Sequence, residues 1–366
     1  MSEASSDFEH QADLPPDRSA LSVSRAKPSP PRRQSAATAR GEPSPEQLAH
    51  GIRRGDRAML GRAITLVESA AARHRAVAAD LLARITPDTG RARRVGITGV
   101  PGAGKSTFIE TLGLNLTKHG HRVAVLAVDP SSGITGGSIL GDKTRMARLA
   151  NDDNAFIRPS PAGRTLGGVA GKTRESMLLC ESAGFDIVLV ETVGVGQSET
   201  VVADMTDFFL AIQLAGAGDE LQGIKRGVIE IADMIAINKA DGDNAIRAQR
   251  AAMDYENAIR YMTPRETDWT TPVVTCSALK NLGIDDLWNG IADRLATLES
   301  DGRLREKRQA QQLRWLWTMI DDRLRQRLRD HPAVRESSEA VERKVKAGEL
   351  PPTLAADELL EAFYRA

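Results

Sequence analysis

The chain has 366 residues with 49 basic and 49 acidic side chains, so its formal net charge is zero. That balance excludes a general electrostatic affinity for nucleic acid, and no apolar run approaches the roughly twenty residues that span a bilayer. Two cysteines, Cys180 and Cys276, with no Cys-x-x-Cys and no His cluster, suit a reducing compartment and suggest buried small apolar residues rather than a metal site.

Residues 1–43 are rich in Ser, Pro, Ala and Arg and poor in large apolar side chains, the composition of a disordered tail. The acids Glu3, Asp7, Glu9, Asp13 and Asp17 argue against a mitochondrial transit peptide, and no apolar stretch suggests a secretory signal. A soluble, cytoplasmic chain is the expectation. Ordered structure is expected to begin at Ser44-Pro-Glu-Gln47, which combines an N-cap serine, proline at the first helical position and glutamine at the capping-box position. Helices then run from Leu48 to about Ile85, and Pro87-Asp-Thr-Gly90 turns the chain into its central unit.

Strands are expected near 94–98, 123–129, 155–158, 186–192, 208–214, 234–238 and 272–276, alternating with helical segments. That alternation is the pattern of a parallel sheet covered on both faces, with a ligand at the carboxyl ends of its strands. The first strand, Arg94-Val-Gly-Ile-Thr98, runs into Gly99, Val100, Pro101, Gly102, Ala103, Gly104, Lys105, Ser106 and Thr107. A helix with an apolar stripe at Ile109, Leu112, Leu114 and Leu116 follows, over Phe108 to His119. Strand, glycine loop and helix in this order make a phosphate cradle. The glycines admit backbone conformations that turn successive N–H groups inward, Lys105 supplies a point charge to the β- and γ-phosphates, and Ser106 supplies a hydroxyl ligand for Mg²⁺. The chain is therefore expected to bind a nucleoside triphosphate.

The segments between this loop and the later strands are expected to handle metal and hydrolysis. Strand 123–129 ends in Asp129, and Asp142 follows in Gly-Asp-Lys-Thr. Either completes an Mg²⁺ shell, or both are ordinary strand-end and turn carboxylates. The strand Asp186-Ile-Val-Leu-Val-Glu191 ends in an acid and leads to Gly194, an arrangement in which the carboxylate holds the metal shell and the glycine N–H faces the γ-phosphate. The acid is Glu191 where small G proteins carry Asp, so metal contact through water is expected. Val195 stands where those proteins place a water-orienting Gln, with Gln197 two residues displaced. Slow intrinsic hydrolysis follows, with a catalytic group brought in by a mobile segment or a partner. Lys225 or Arg226, at the end of the glycine-punctuated run 216–227, can serve, or that run is a plain surface loop.

Strand Met234-Ile-Ala-Ile-Asn238 runs into Lys239-Ala-Asp241. A carboxylate at Asp241 accepts from guanine N1–H and the exocyclic amine, whereas adenine would leave that acceptor unpaired. Asn238 and Lys239 would brace the loop and cover the base plane. Strand 272–276 ends in Ser277, Ala278 and Leu279, whose backbone N–H groups are placed to meet guanine O6. Beyond Arg303, Leu313, Trp317, Ile320, Leu324 and Leu328 recur at helical spacing until His331-Pro332, a stripe that packs either in the core or against a second copy. A further helix is expected over Glu339 to Ala366, carrying Leu359, Leu360 and Phe363.

The run Asp129-Pro-Ser-Ser-Gly-Ile-Thr-Gly-Gly-Ser-Ile-Leu-Gly-Asp-Lys-Thr-Arg-Met146, with Glu191-Thr-Val-Gly-Val-Gly-Gln-Ser-Glu199 and Gly216-Ala-Gly-Asp-Glu-Leu-Gln-Gly-Ile-Lys225, resembles the MeaB/ArgK family of P-loop GTPases. These are chaperones of adenosylcobalamin-dependent methylmalonyl-CoA mutase, in the same class as the hydrogenase and urease metal-insertion GTPases. The resemblance extends roughly from Pro45 to the C-terminus and leaves the proline-rich N-terminus outside. It implies a P-loop NTPase fold of the α/β class: a mostly parallel sheet covered on both faces, an N-terminal helical extension and a C-terminal helical dimerisation arm. The corresponding boundaries are 1–43 for the tail, 44–90 for the N-terminal helices, 91–302 for the G domain and 303–366 for the arm. By the resemblance, Lys105 and Ser106 serve phosphate and Mg²⁺, Asp129, Asp142 and Glu191 the metal, and Asp241 guanine. GTP and GDP are the implied nucleotides and a homodimer the implied assembly. The implied partners are a B12-dependent acyl-CoA mutase, methylmalonyl-CoA mutase first, and a cobalamin adenosyltransferase. A metal-insertion GTPase, a P-loop kinase linked to transport and a nucleotide-sensing scaffold are the competing functions.

Overall fold

The computed structural model describes residues 42–69, 71–128, 146–160, 166–192, 198–215, 226–260 and 269–365, and Pro43–Ala366 forms one compact unit. The expected tail therefore lies almost wholly outside the described residues. The expected capping box forms: Ser44 Oγ accepts from Gln47 N at 3.2 Å, and Gln47 Oε1 accepts from Ser44 N at 2.9 Å. It opens α1 (Pro45–Arg53), which is followed by α2 (Arg57–Glu68) and α3 (Ala72–Ile85). Asp56 caps α2 by accepting from Ala58 N and Met59 N, which sets the first boundary among the helices expected between Leu48 and Ile85.

The central unit contains β1 (Arg93–Gly99), α4 (Lys105–Lys118), β2 (Val123–Val128), α5 (Ala147–Ala150), β3 (Ala155–Ser160), α6 (Leu166–Ser182) and β4 (Ile187–Thr192). It continues through α7 (Ser198–Ala203), β5 (Phe208–Leu214), α8 (Arg226–Ile231), β6 (Met234–Asn238), α9 (Ala245–Arg260), β7 (Val273–Thr275) and α10 (Ile284–Ser300). The strands form one seven-stranded sheet in the order β3-β2-β4-β1-β5-β6-β7, and every described pairing is parallel. Burial on both faces is written in the strands by alternation. Val123, Val125, Ile187, Leu189, Phe208 and Leu210 pack on the α4 and α10 side, while Ala124, Leu126, Val188, Val190 and Phe209 pack under α1, α2 and α6. This two-sided burial is why the strands read as nearly continuous apolar runs.

Aspartates just ahead of the strands extend the ladders at the amino ends. Asp186 accepts from Arg122 N at 2.7 Å, Asp207 from Arg94 N at 2.8 Å and Asp233 from Phe209 N at 2.8 Å. Two of these acids also receive the long C-terminal helix α11 (Arg303–Asp330). Arg308 Nε and Nη2 donate to the Asp207 carboxylate at 2.8 and 2.6 Å, and its Nη2 also reaches Ala92 O at 2.7 Å. Lys307 Nζ donates to Asp207 O at 2.6 Å, with Asp233 Oδ2 at 3.9 Å. The Asp207 side chain is fully buried, so loss of its partner would strand a charge. Arg308→Ala is expected to cost about 3–5 kcal/mol, read as a lower urea midpoint, whereas removing the exposed Lys346–Glu342 pair with Lys346→Ala costs less than about 0.5 kcal/mol. Equal midpoint shifts for the two variants would overturn this ranking.

On its outer half α11 exposes Leu313, Leu316, Trp317 and Leu324. Within the described chain the apolar stripe is therefore not core. The segment after His331 is two helices where the sequence suggested one from Glu339: α12 (Pro332–Lys346) and α13 (Pro352–Tyr364). Pro332 sits at the first position of α12, and Gly348 in the left-handed region (φ +74°) followed by Pro351 ends it, so both boundaries are local backbone effects. Phe363 stacks edge-on against His331 at 5.0 Å, folding α13 back to the start of α12.

Candidate nucleotide site

The loop between β1 and α4 sits at the carboxyl end of β1, where the strand order reverses direction between β4 and β5. Two glycines there are irreplaceable for separate reasons. A Cβ on Gly99 would lie 2.2 Å from Ile212 O of β5, so the loop leaves the sheet at a distance only glycine permits. Gly104, at φ +85°, is left-handed, and a Cβ on it would lie 2.8 Å from Asn238 Nδ2. Helix α4 begins at Lys105, three residues earlier than its apolar stripe suggests, so Lys105 and Ser106 are its first residues and the helix dipole adds to their field. Lys105 Nζ donates to Gly99 O at 2.9 Å and to Val100 O at 3.4 Å, folded over the loop it serves. Val100, Pro101, Gly102 and Ala103 form the tip, closed by Ala103 N donating to Val100 O at 3.1 Å, and Thr107 is exposed.

Beneath the loop, Ser106 Oγ donates to Glu191 Oε1 at 3.2 Å, which joins the first turn of α4 to the end of β4. Glu191 is 8 % exposed. Thr192 Oγ1 donates to Thr98 Oγ1 at 2.8 Å, tying β4 to β1 one residue further on. Asp129, Asp142, Gly194 and Lys225 lie outside the described residues, as do Val195 and Gln197.

The base side is assembled from three elements. Asn238, 1 % exposed at the end of β6, donates from Nδ2 to Ala103 O at 2.8 Å and accepts at Oδ1 from Ala278 N at 3.0 Å. One buried amide thus spans the phosphate loop and the turn after β7. Lys239 adopts a left-handed conformation (φ +61°), unusual for a non-glycine residue, and Asn244 Nδ2 holds it by donating to Lys239 O at 2.8 Å. Its Cε lies 3.9 Å from the Cβ position of Gly104, directly over the loop. Asp241 accepts at Oδ2 from Ser277 Oγ. In the turn, Ser277 N donates to Leu282 O at 2.9 Å, Ala278 N to Asn238 and Lys280 N to Ser277 Oγ at 3.2 Å. Of the three backbone donors expected at guanine O6, Leu279 N–H is the one with no acceptor among the described residues. Cys276, beside Asn238, has its thiol pushed up to about 12 by burial, and burial raises that of Cys180 further, so both behave as small apolar residues.

Sequence reading missed Thr98, Thr192 and Asn244, and also Thr111, Asn115, Asn281 and Asp285 behind the base turn. Only Thr111 and Asn115 left a trace. They are polar residues four apart on an otherwise apolar helical face, the spacing of a shared partner. Among the described residues no group of His, Cys, Asp and Glu could hold a metal by itself, and no helix is long and apolar enough to cross a membrane.

Comparison with known proteins agrees with this geometry. A GTPase named ArgK from Escherichia coli is 54 % identical over 272 residues, covering 74 % of this chain and 82 % of that one. The mouse mitochondrial methylmalonic aciduria type A homolog is 47 % identical over 328 residues, covering 87 % and 79 % respectively. The crystal structure of a protein described as an LAO/AO transport system kinase shares 41 % identity at a TM-score of 0.68, covering 88 % of this chain and 98 % of that one. The family model described as methylmalonyl-CoA mutase-associated GTPase MeaB matches residues 60–333. With the glycine loop, the turn after β7 and the buried Asn238 that joins them all inside that matched span, the chain is a P-loop GTPase and belongs to the MeaB family.

Proposed function

We propose that this GTPase acts as a nucleotide-gated chaperone of a B12-dependent acyl-CoA mutase, methylmalonyl-CoA mutase before others, controlling adenosylcobalamin loading and protecting the loaded enzyme. The family description and the name of the mouse relative support the choice of client. The observation that carries the gating is where α7 ends. This helix starts directly after 193–197, and at its end Asp204 O accepts from Arg174 at 2.6 Å while the Asp204 carboxylate pairs with Arg314 of α11 at 3.1 Å. Arg174 also donates to Gln311 O at 3.2 Å. Movement in the segment after β4 would therefore be felt in α11, the element that exposes Trp317 and its apolar neighbours. That face supports the reading of 303–366 as a homodimerisation arm beside a G domain at 91–302, with 44–90 as its helical extension and 1–43 as a tail.

In this reading Lys105 neutralises the β- and γ-phosphates and the loop N–H groups orient them. Ser106 and Glu191 hold Mg²⁺, aided by Asp129 or Asp142; a hydroxyl beside a carboxylate is the hard oxygen set that this ion takes. Mg²⁺ held there would supply positive charge against the phosphates. Asp241 accepts from the guanine edge, and the N–H groups of the Ser277–Leu279 turn, Leu279 first, face O6. Val195 in the water-positioning place makes hydrolysis slow, with Lys225 as the further catalytic group and the client as its trigger. The chain acts in the cytoplasm, and a cobalamin adenosyltransferase is the second partner.

The test is phosphate release from GTP by the full chain, alone and with a B12-dependent mutase, with ATP in parallel. Slow turnover alone that rises with the mutase is the expected result. Turnover that the mutase leaves unchanged overturns the client assignment. The description of the solved relative as a transport system kinase favours one competing reading, and preferential use of ATP with label transferred to a partner would establish it.

A further inference from the structure

The turn that faces the base is held from behind by side chains that touch neither the phosphates nor the base site. Thr111 and Asn115 lie four residues apart on α4, on one face of the helix, and both are less than a tenth exposed. Thr111 Oγ1 donates to Ala278 O at 2.9 Å, inside the turn. Asn115 Nδ2 donates to Asn281 Oδ1 at 2.8 Å and to Asp285 Oδ1 at 2.7 Å, and Asn281 Nδ2 donates back to Asn115 Oδ1 at 3.1 Å. Asn281 is left-handed (φ +54°) and sits where the turn closes on itself through Ser277 and Leu282. Asp285 belongs to the first turn of α10. Three elements are thus clamped at one buried amide.

We propose that Asn115 is the positioning residue for base discrimination, acting through Asn281 to aim the Leu279 N–H at position 6 of the purine. The same rigid helix carries Lys105 at its start and Asn115 ten residues along, about 15 Å away at 1.5 Å per residue. The phosphate contact and the turn contact are thereby set at a fixed separation by one element. The amide pair is reciprocal: removing the Asn281 side chain leaves the buried Asn115 amide oxygen unpaired, while removing that of Asn115 releases the exposed Asn281 and Asp285 to water, and in both cases the turn loses its tie to α4. Its other attachment, Ala278 N to Asn238 Oδ1, holds only the near end of the turn.

This inference rests on the guanine-site reading above, and base chemistry separates the two. Position 6 is an acceptor in guanine and hypoxanthine and a donor in adenine, so backbone N–H groups there select both oxo-purines against adenine. The 2-amino group that distinguishes guanine from hypoxanthine faces Asp241, whose own turn at 241–244 and whose bond to Ser277 lie ahead of the part of the base turn that Asn115 holds. Asn115→Ala is therefore expected to lower the GTP-over-ATP affinity ratio by about tenfold while leaving the GTP-over-ITP ratio as in wild type. Asn281→Gly keeps the left-handed conformation but removes the amide, and it should show the same pattern if Asn115→Ala does not fold.

The measurement is displacement of fluorescently labelled GDP from the full chain by unlabelled GTP, ITP and ATP. Weakening of all three nucleotides in proportion means a merely structural role and overturns the proposal, as does an unchanged GTP-over-ATP ratio. A wild-type chain with no preference for GTP over ATP overturns the base-site reading itself. A wild-type preference retained in both variants overturns the clamp alone.

Discussion

Asp241→Asn is expected to weaken GTP binding by at least about a hundredfold and to bring xanthosine triphosphate above GTP in affinity. A carboxylate accepts from both N1–H and the 2-amino group of guanine. An amide in its place keeps one acceptor and turns a donor toward the 2-position, where xanthine carries an oxygen. The surroundings favour this exchange without loss of fold. Asp241 lies at the head of the short turn Gly242–Asn244, whose Asn244 N donates to Asp241 O at 3.1 Å, and its side-chain partner Ser277 Oγ can donate equally to an amide oxygen. Displacement of labelled GDP by GTP and by xanthosine triphosphate reads the change directly. An unchanged preference would remove Asp241 from the base site.

Lys105→Ala is expected to lower kcat for GTP by about 10²–10³, the loss seen when a preorganised electrostatic contact to a developing charge is removed. Its ammonium rests on the carbonyls of Gly99 and Val100, within the same loop whose N–H groups would receive the phosphates. It therefore moves only a short way to reach them, and it does so as the first residue of α4. Lys105→Arg should not restore the rate, since a planar fork cannot replace a compact ammonium in a tip closed by the Ala103 N to Val100 O bond. Phosphate release at saturating GTP, with folding checked by circular dichroism, distinguishes lost chemistry from lost structure. Rates in the alanine variant within a few-fold of wild type would exclude Lys105 as the charge-stabilising group. Lys225→Ala, measured beside it, asks whether a second cation is needed.

Most of the sheet was legible because a parallel sheet buried on both faces leaves dense apolar runs, and each expected strand has its counterpart within two residues at either end. The phosphate loop and Asn238-Lys239-x-Asp241 were legible because the chemistry needs those residue types contiguous in the chain. The N-terminal helices were legible as a helical stretch, but the breaks between them were not, because a capping carboxylate such as Asp56 carries no periodic signal. The end of the long helix at His331-Pro332 was legible, but the helix that Pro332 opens was not, and the last helix starts later than expected because Gly348 acts locally, on one residue's backbone.

By itself the sequence carried the family and the local devices: a glycine loop between strand and helix, an Asn-Lys-x-Asp run at a strand end, a serine cap. These depend on neighbours in the chain, where spacing sets geometry. The tertiary structure alone decided that β4 lies between β2 and β1, which brings Glu191 to Ser106, and that Asn238 meets both Ala103 and Ala278. It alone decided that Arg308 of a helix read as an arm is buried on Asp207, that Trp317 of the same helix faces outward, and that Asn115 grips Asn281 across 166 positions. Such pairings are selected by burial and by the cost of an unpaired polar group in a packed interior. Both are properties of the assembled fold, and no run of adjacent residues contains them.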